Sequence, residues 1–248
     1  MKRPYWEKMA SVYDEEIFDV LKQDKKGLII KAIKKHAKAN ATAIDIGCAI
    51  GKWLPTLSGL FNKVVALDIS AENLRIAKEK YAHLENISYL RADMSSKGVK
   101  LPKSDLGICI NAILTPTKKD RQHFFSALTK CIKKNGILIA SVPAFESKLL
   151  THLIQREFNI DKREFADMNS KKHAPSRWNN ILQGNFEIDN VPHKHFTREE
   201  LQLLFNKAGF EVLQLEKIEY PWSTEFNNPP KWLKDPKPWD WMIVLKKK

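Results

Sequence analysis

The sequence predicts an α/β protein: a doubly wound, mostly parallel β-sheet with helices on both faces and an antiparallel pair of strands near the C-terminal end. Short apolar segments alternate with amphipathic segments across the first 145 residues, which is the order expected of strand–helix–strand units. The apolar segments are nearly continuous, as is typical of strands that helices cover on both sides. Two more strand-like segments follow a late helix, and we expect them to close one edge of the sheet.

The elements follow in order along the chain. The first half predicts helices near 26–38, 71–84 and 120–135, and strands at 42–47, 63–70, 87–93, 105–114 and from 136 onward. Between 146 and 190 the pattern loosens into mixed helical pieces and polar loops. A late helix then begins at Thr197 as N-cap, with Glu200 placed for a capping box and Gly209 placed to end it. Strands at 211–220 and 239–248 flank a loop rich in proline and tryptophan.

The length and composition suit one folded unit. With 248 residues, 43% of them hydrophobic, the chain can bury one substantial core. We expect a single domain in four parts: an N-terminal lid and helix (1–39), a ligand-binding core (40–145), an insertion (146–195), and a C-terminal helix with two strands (196–248).

The apolar segments and cysteines suggest a cytoplasmic protein without a membrane partner. No apolar run approaches the roughly 18 residues of a membrane-spanning helix, and acidic residues interrupt the N-terminal stretch where a signal peptide would be apolar. Cys48, Cys109 and Cys131 are odd in number and widely spaced, which suits reduced thiols. No cluster of histidines and cysteines has the spacing of a metal site.

The formal net charge of +13 raises the question of an anionic partner such as RNA. However, the lysines of the first predicted helix share one face opposite Ile29 and Ile33, which is the pattern of a solvated amphipathic surface. The other lysines are scattered as pairs rather than consecutive: 118–119, 133–134, 171–172 and the terminal three. A nucleic-acid partner therefore stays open but is not favoured, and the oligomeric state is undetermined.

The stretch "ATAIDIGCAIGKW" (41–53) is a strand that runs into a glycine-containing turn. A nicotinamide-binding turn counted from Gly47 needs glycine where Ala49 and Lys52 stand, and a Walker A loop needs a lysine followed by serine or threonine. Neither fits. The turn instead has Asp45 before its first glycine, and Asp68 ends the next strand, where a carboxylate can accept the hydroxyls of a ribose.

These segments resemble the class I S-adenosylmethionine-dependent methyltransferases. "AIDIGCAIG" is similar to their glycine-rich first motif, "VVALDIS" to the ribose-binding second, "YLRADM" to the adenine-binding third, and "DLGICINAIL" to the fourth strand. "HFTREELQLLFNKAGFEV" resembles the helix and strand common late in that family. The resemblance implies a Rossmann-like methyltransferase fold, an enzyme, and S-adenosylmethionine as cofactor.

The resemblance also implies roles for individual residues. Asp45 would orient the amino group of the methionine part and Asp68 would hold the ribose, while Tyr13 of the N-terminal lid would contact the cofactor, with Tyr5 or Trp6 secondary. The remaining expected cofactor residues are Gly47, Cys48, Ala49 and Gly51 around the methionine part, Ile69, Asp93 and Met94 around the adenine, and the backbone of Asn111 on the sulfonium side. Ala49 stands where the family usually has glycine, so we expect its methyl group to crowd the ligand slightly.

The methyl acceptor is less constrained. In-line displacement from a sulfonium depends largely on orientation and a dry pocket, so no catalytic residue is obligatory. His193 and His195 are the candidate bases because imidazole titrates near neutral pH, and Trp222, Trp232 and Trp239 are candidates for an aromatic acceptor wall.

The chain lacks the Asn/Asp-Pro-Pro-aromatic signature of nucleic-acid amino-methyltransferases after the fourth strand, where it has Asn111-Ala112-Ile113-Leu114. We therefore expect a small-molecule acceptor. An RNA or protein methyltransferase, and a non-catalytic nucleoside-binding protein, are the alternatives.

Overall fold

The fold is a seven-stranded mixed sheet, seen in a computed structural model that describes residues 3–160, 179–188 and 191–248. The strand order is β3-β2-β1-β4-β5-β9-β8. The strands are β1 (Thr42–Ile46), β2 (Lys63–Asp68), β3 (Ile87–Arg91), β4 (Ser104–Ile110), β5 (Ile132–Pro143), β6 (Asn185–Ile188), β7 (Val191–Lys194), β8 (Phe210–Glu219) and β9 (Trp239–Lys247). Strands β1 to β5 pair in parallel, and β9 is antiparallel to both β5 and β8. The predicted parallel sheet with an antiparallel C-terminal pair is confirmed.

Helices lie before and between the strands. They are α1 (Arg3–Met9), α2 (Tyr13–Glu16), α3 (Val20–Gln23), α4 (Leu28–His36), α5 (Leu54–Ser58), α6 (Ala71–Lys80), α7 (Lys118–Cys131), α8 (Phe145–Glu157) and α9 (Arg198–Lys207). The apolar side chains of the described residues form two large clusters, one containing Ile44 and Leu128 and the other containing Ile33 and Ala43. Because neighbouring residues of β1 point to opposite faces, the central sheet contributes to both.

Helix α4 has the predicted amphipathic character. Ile29 and Ile33 are fully buried, whereas Lys31, Lys34 and Lys35 are exposed. This lysine face is the solvated side of the helix. The three cysteines are buried and unbridged.

Three local predictions need correction. Helix α7 ends at Cys131, and β5 begins at Ile132 rather than near Gly136, because Ile132 pairs with Ser104 across a register shift in β4. The two-stranded sheet β6–β7 lies in the segment predicted to be loops and helical pieces, since four-residue strands give little periodic signal. Thr197 caps α9 by accepting from the Glu200 amide at 3.1 Å, but the Glu200 carboxylate accepts from Lys194 at 2.6 Å.

Within the described ranges, no helix has the length and apolarity that crossing a bilayer requires. The lysine pair 171–172 and residues 161–178 of the predicted insertion lie outside the described residues.

Candidate functional site

The turn after β1 is held in a left-handed backbone path. Gly47, Ala49 and Gly51 have φ values of 75°, 47° and 84°, and the amides of Gly47 and Cys48 donate to the carbonyl of Leu67 at 2.8 and 2.9 Å. The turn is thereby fixed against the end of β2. Ala49 therefore has a left-handed backbone conformation, which a residue with a Cβ atom adopts only with strain. The alanine at this position strains the backbone of the turn.

The two glycines of the turn have different roles. A Cβ on Gly47 would lie 2.6 Å from the Cβ of Ala112, so glycine lets this turn approach the turn after β4. A Cβ on Gly51 would lie 2.6 Å from Leu54 and 3.0 Å from Tyr81. Gly51 therefore lets α5 and α6 pack closely against the turn. It does not line either of the two cavities that the described residues form. Its contact with the cofactor stays a prediction.

Asp68 joins the turn to the second strand. Its Oδ2 accepts from the Ala49 amide at 2.9 Å, and its Oδ1 accepts from the Ser70 amide at 2.8 Å and the Asn73 side chain at 3.4 Å. Burial raises the pKa of Asp68, while these hydrogen bonds lower it. A carboxylate has about four acceptor positions, so the three bonds leave room for one hydroxyl of a ligand.

Asp45 is a buried carboxyl group that finds no hydrogen-bond partner among the described residues. It is 1% exposed, it accepts no hydrogen bond from the described residues, and its Oδ2 is an unsatisfied buried atom. Burial and the charge of Asp68 raise its pKa to about 8. Since a buried unpaired carboxyl is costly, Asp45 is suited to receive a cationic group from a ligand.

Two adjoining cavities lie beyond the carboxyl ends of the parallel strands. The smaller has a volume of about 100 Å³ and the larger about 410 Å³. The residues that line both are Trp6, Tyr13, Gly47, Ala49, Ile110 and Asn111. The cavities therefore meet where the turns after β1 and β4 approach each other, which is the switch point of this sheet.

The predicted cofactor residues divide between the two cavities. Asp68, Ile69, Asp93 and Met94 line the smaller one, and Asp45 and Cys48 line the larger one. Sequence-distant strand ends thus meet along one continuous surface.

The N-terminal helices form part of the wall. Tyr5, Trp6 and Tyr13 line the larger cavity. Lys52 of the glycine turn holds this segment through ion pairs to Asp14 at 2.8 Å and Asp19 at 2.7 Å. We refer to residues 3–23 as the lid.

The candidate bases His193 and His195 both line the larger cavity. The Phe196 amide donates to Pro143 and the Lys194 amide to Leu114, which places β7 over the ends of β4 and β5. His195 is 4% exposed, and its Nδ1 lies 3.2 Å from the His193 carbonyl. Because a carbonyl only accepts, Nδ1 carries the proton. Burial lowers the pKa of His195 to about 3, so the ring is neutral and weakly basic.

Of the three predicted tryptophans, Trp239 lines the larger cavity. Trp222 is 3% exposed and stacks on Phe226 in a separate apolar cluster, and Trp232 is 57% exposed and contacts Phe158. Neither lines a cavity formed by the described residues. Trp222 packs within the proline-rich loop and Trp232 against Phe158 at the end of α8, so their place in the acceptor wall stays a prediction that these contacts do not support.

Sequence reasoning missed several polar residues of the larger cavity, among them Lys148, Tyr220, Glu225 and Asp240. Asp240 is 8% exposed, and its Oδ2 accepts from Asn111 Nδ2 at 2.8 Å and from Tyr220 at 3.0 Å. Burial raises the pKa of Asp240, while these two hydrogen bonds lower it. The predicted antiparallel direction of β9 could have indicated Asp240, since it puts the first residues of that strand beside the carboxyl end of β5.

Comparison with known proteins agrees with this geometry. A family model described as "Methyltransferase domain" matches residues 43–136. The chain is 21% identical over 194 residues to a demethylmenaquinone methyltransferase of Staphylococcus haemolyticus, covering 74% of each, and 26% identical over 232 residues to an uncharacterised protein of Methanocaldococcus jannaschii, covering 92% of this chain and 81% of that one. The fold is similar to that of the N-methyltransferase NodS from Bradyrhizobium japonicum in complex with S-adenosyl-L-homocysteine, with a TM-score of 0.63, 9% identity, and coverage of 99% of this chain and 97% of that chain.

The fold and the matched core define a Rossmann-like methyltransferase. Residues 43–136 match the methyltransferase-domain family model, the fold is that of S-adenosylmethionine-dependent methyltransferases, and the methyl donor is S-adenosylmethionine. The residues present fit that group, because the unpaired Asp45 carboxyl suits its methionine ammonium and the smaller cavity has the acids at the ends of β2 and β3.

Proposed function

We propose that this enzyme methylates a small molecule. The observation that carries the proposal is the larger cavity: about 410 Å³, lined by the lid and continuous with the nucleoside-side cavity. This volume lies within the range of roughly 300–1,000 Å³ that small-molecule sites occupy. A lid that walls the cavity favours an acceptor that enters whole over a segment of RNA or protein.

The lining of the two cavities supports the proposed cofactor site. Asp45 receives the ammonium of the methionine part, Asp68 accepts from the ribose, and Asp93 with Ile69 and Met94 surrounds the adenine. The bound cofactor supplies an electrophilic methyl group on a sulfonium. The Asn111 backbone, which lines both cavities, would lie on the sulfonium side of the bound cofactor.

The chain's own residues orient the reactants and exclude water. Tyr13 lines both cavities, and burial together with the nearby Asp68 raises its pKa, so it stays a neutral phenol over the cofactor. We propose that the insertion (146–195) and the C-terminal part (196–248) build the acceptor side of one domain, since Lys148, His193 and Trp239 all line the larger cavity.

Names of relatives support a small acceptor without identifying it. One relative is a demethylmenaquinone methyltransferase, and the structural neighbour NodS is an N-methyltransferase. The net charge of +13 supports the second candidate, a methyltransferase acting on RNA or protein.

Methyl transfer into fractionated cell extract tests the proposal. The protein is incubated with S-adenosylmethionine labelled in its methyl group and with separate RNA, protein and small-molecule fractions. We expect label in the small-molecule fraction with the wild type and none above background with Asp68→Ala. Label that enters only RNA or protein would overturn the proposal in favour of the second candidate.

A further inference from the structure

The acceptor side of the larger cavity contains a buried carboxyl group whose charge is unmatched. Of the described residues, four acids and two lysines line this cavity: Asp19, Asp45, Glu225 and Asp240, with Lys52 and Lys148. Lys52 pairs with Asp19 at 2.7 Å, and Lys148 lies 3.8 Å from Glu225. Both lysines are therefore already matched to other acids.

The two remaining acids, Asp45 and Asp240, lie in different parts of the proposed site. Asp45 adjoins the glycine turn and is assigned to the methionine ammonium. Asp240 forms no ion pair with any described residue, and it is bonded through Oδ2 alone, by Asn111 and Tyr220. Its Oδ1 accepts no hydrogen bond from the described residues.

Asp240 lies next to the junction of the two cavities. Asn111 lines both cavities, and its amide nitrogen is 2.8 Å from Asp240 Oδ2. The Asn111 side chain is fixed in turn by Ser141, whose hydroxyl donates to Asn111 Oδ1 at 3.2 Å. Asp240 is thus rigidly held one hydrogen bond from the residue that faces the sulfonium side.

From this arrangement we infer that the methyl acceptor is an amine that enters as its ammonium form, and that Asp240 both binds it and takes its proton. A buried carboxylate without a cation favours a positively charged ligand, and the aromatic rings of Tyr220 and Trp239 along the same wall favour one with apolar substituents. The inference rests on the proposed small-molecule function and names the class of the acceptor.

The chemistry balances with the groups present. The ammonium gives one proton to the Asp240 carboxylate, and the amine lone pair is released. The nitrogen then forms a bond to the methyl carbon while the carbon–sulfur bond pair leaves with sulfur as the neutral thioether. The product is an N-methylammonium ion, and Asp240 loses its proton to solvent on product release.

His195 is less suited to that role. Its ring is held by the bond from Nδ1 to the His193 carbonyl, at 3.2 Å, and its surroundings suppress protonation. We assign it to the wall of the cavity.

Binding in matched pairs tests the acceptor class directly. Calorimetry is done at pH 7.5 on the protein saturated with S-adenosylhomocysteine, using propylamine, benzylamine and tryptamine, each against its hydroxyl counterpart propanol, benzyl alcohol or tryptophol. We expect at least one amine to bind about tenfold or more tightly than its alcohol, because a hydrogen bond to a charged group contributes about 1.5–3 kcal/mol.

The variant Asp240→Asn keeps the side-chain shape and removes the charge. We expect the Kd values of the amine and its matching alcohol to come within about threefold of each other. The affinity for S-adenosylhomocysteine should stay within about threefold of the wild type. The kcat for methyl transfer to the amine should fall by about a hundredfold, the usual effect of losing a proton acceptor. Glu211→Gln is the control, since it makes the same charge change at an exposed position on β8.

The inference is overturned if no amine binds more tightly than its alcohol, or if Asp240→Asn keeps the amine preference. Methyl transfer to alcohols or phenols that is insensitive to Asp240→Asn would overturn it while leaving the small-molecule function intact. Transfer only to RNA or protein would remove the proposed function itself.

Discussion

Glu7 in the first helix of the lid accepts a hydrogen bond from Ser70 at 2.8 Å, at the point where α6 begins. The same carboxylate accepts from the amides of Ala71 at 3.0 Å and Glu72 at 2.9 Å. The lid therefore caps α6, the helix that follows Asp68, although Glu7 and Ser70 are 63 residues apart.

Removing this cap should loosen the lid. We expect Glu7→Ala to lower the free energy of unfolding by about 1 kcal/mol, the usual cost of losing an N-terminal cap, as measured by urea denaturation. The hydrogen bonds lower the pKa of Glu7 below 4.5, so its contribution is complete above that pH and is lost as the pH falls through the folded-state pKa. The difference between Glu7→Ala and the wild type should therefore shrink in acid. Lys8→Ala, an exposed change on the same helix, is the control and should match the wild type.

Lys52 is the second connection between the lid and the core. Its side chain is 16% exposed and bridges Asp14 and Asp19, so Lys52→Met leaves Asp19 without its cation and leaves Asp14 with only Lys80, at 3.7 Å. We expect several-fold faster proteolytic cleavage within residues 1–24, because opening of a weakly held segment exposes its backbone. Lys26→Met removes the ion pair with Glu219 on an exposed surface and should leave the cleavage rate unchanged. Equal rates for both variants would contradict this role of Lys52.

The backbone strain at Ala49 can be relieved. Its φ of 47° lies in the region where a Cβ atom costs about 1–2 kcal/mol. Glycine loses part of that gain through its freer unfolded chain, so we expect Ala49→Gly to raise the free energy of unfolding by up to about 1 kcal/mol in urea titrations. A decrease in stability would show that the methyl group of Ala49 contributes packing that outweighs the strain.

Asp68 should be required for cofactor binding. Asp68→Ala removes the acceptor of the Ala49, Ser70 and Asn73 donors as well as the proposed ribose contact. We expect calorimetric binding of S-adenosylhomocysteine to fall by at least about a hundredfold, or roughly 3 kcal/mol. The matched control is Asp105→Ala, which removes an acid that binds Lys133 at the opposite end of β4. Unchanged affinity in Asp68→Ala would contradict the assignment.

His195 should stay neutral across the physiological range. Burial lowers its pKa to about 3, so we expect its ring resonances in NMR spectra to be constant between about pH 5 and 8. Because the unfolded chain protonates this histidine near pH 6.5 and the folded protein does not, its burial destabilises the fold progressively as the pH falls below 6.5. A titration midpoint near 6.5 would show that His195 is open to solvent and able to act as a base.

Much of the fold and half of the site were predictable because they depend on local sequence. The parallel strands end at the same edge of the sheet, so Asp45 near the end of β1, Asp68 at the end of β2 and Asp93 shortly after β3 share that edge, and all three line the cavities. The four-residue strands β6 and β7 were missed because their segments are too short for a periodic pattern. The packing of Trp222 and Trp232 was also not predictable, since aromatic content alone does not indicate which side chains of a loop point inward.

The sequence by itself determined the parallel core, the glycine turn and the cofactor edge, because strand patterning and turn chemistry act over a few residues. Only the tertiary structure decided the acceptor side. Asn111 and Asp240 are separated by 129 positions and meet because β9 runs antiparallel beside β5, which brings the start of the last strand to the edge where the parallel strands end. No local signal specifies that meeting, since it depends on the register of strands that pair only after the whole sheet has formed.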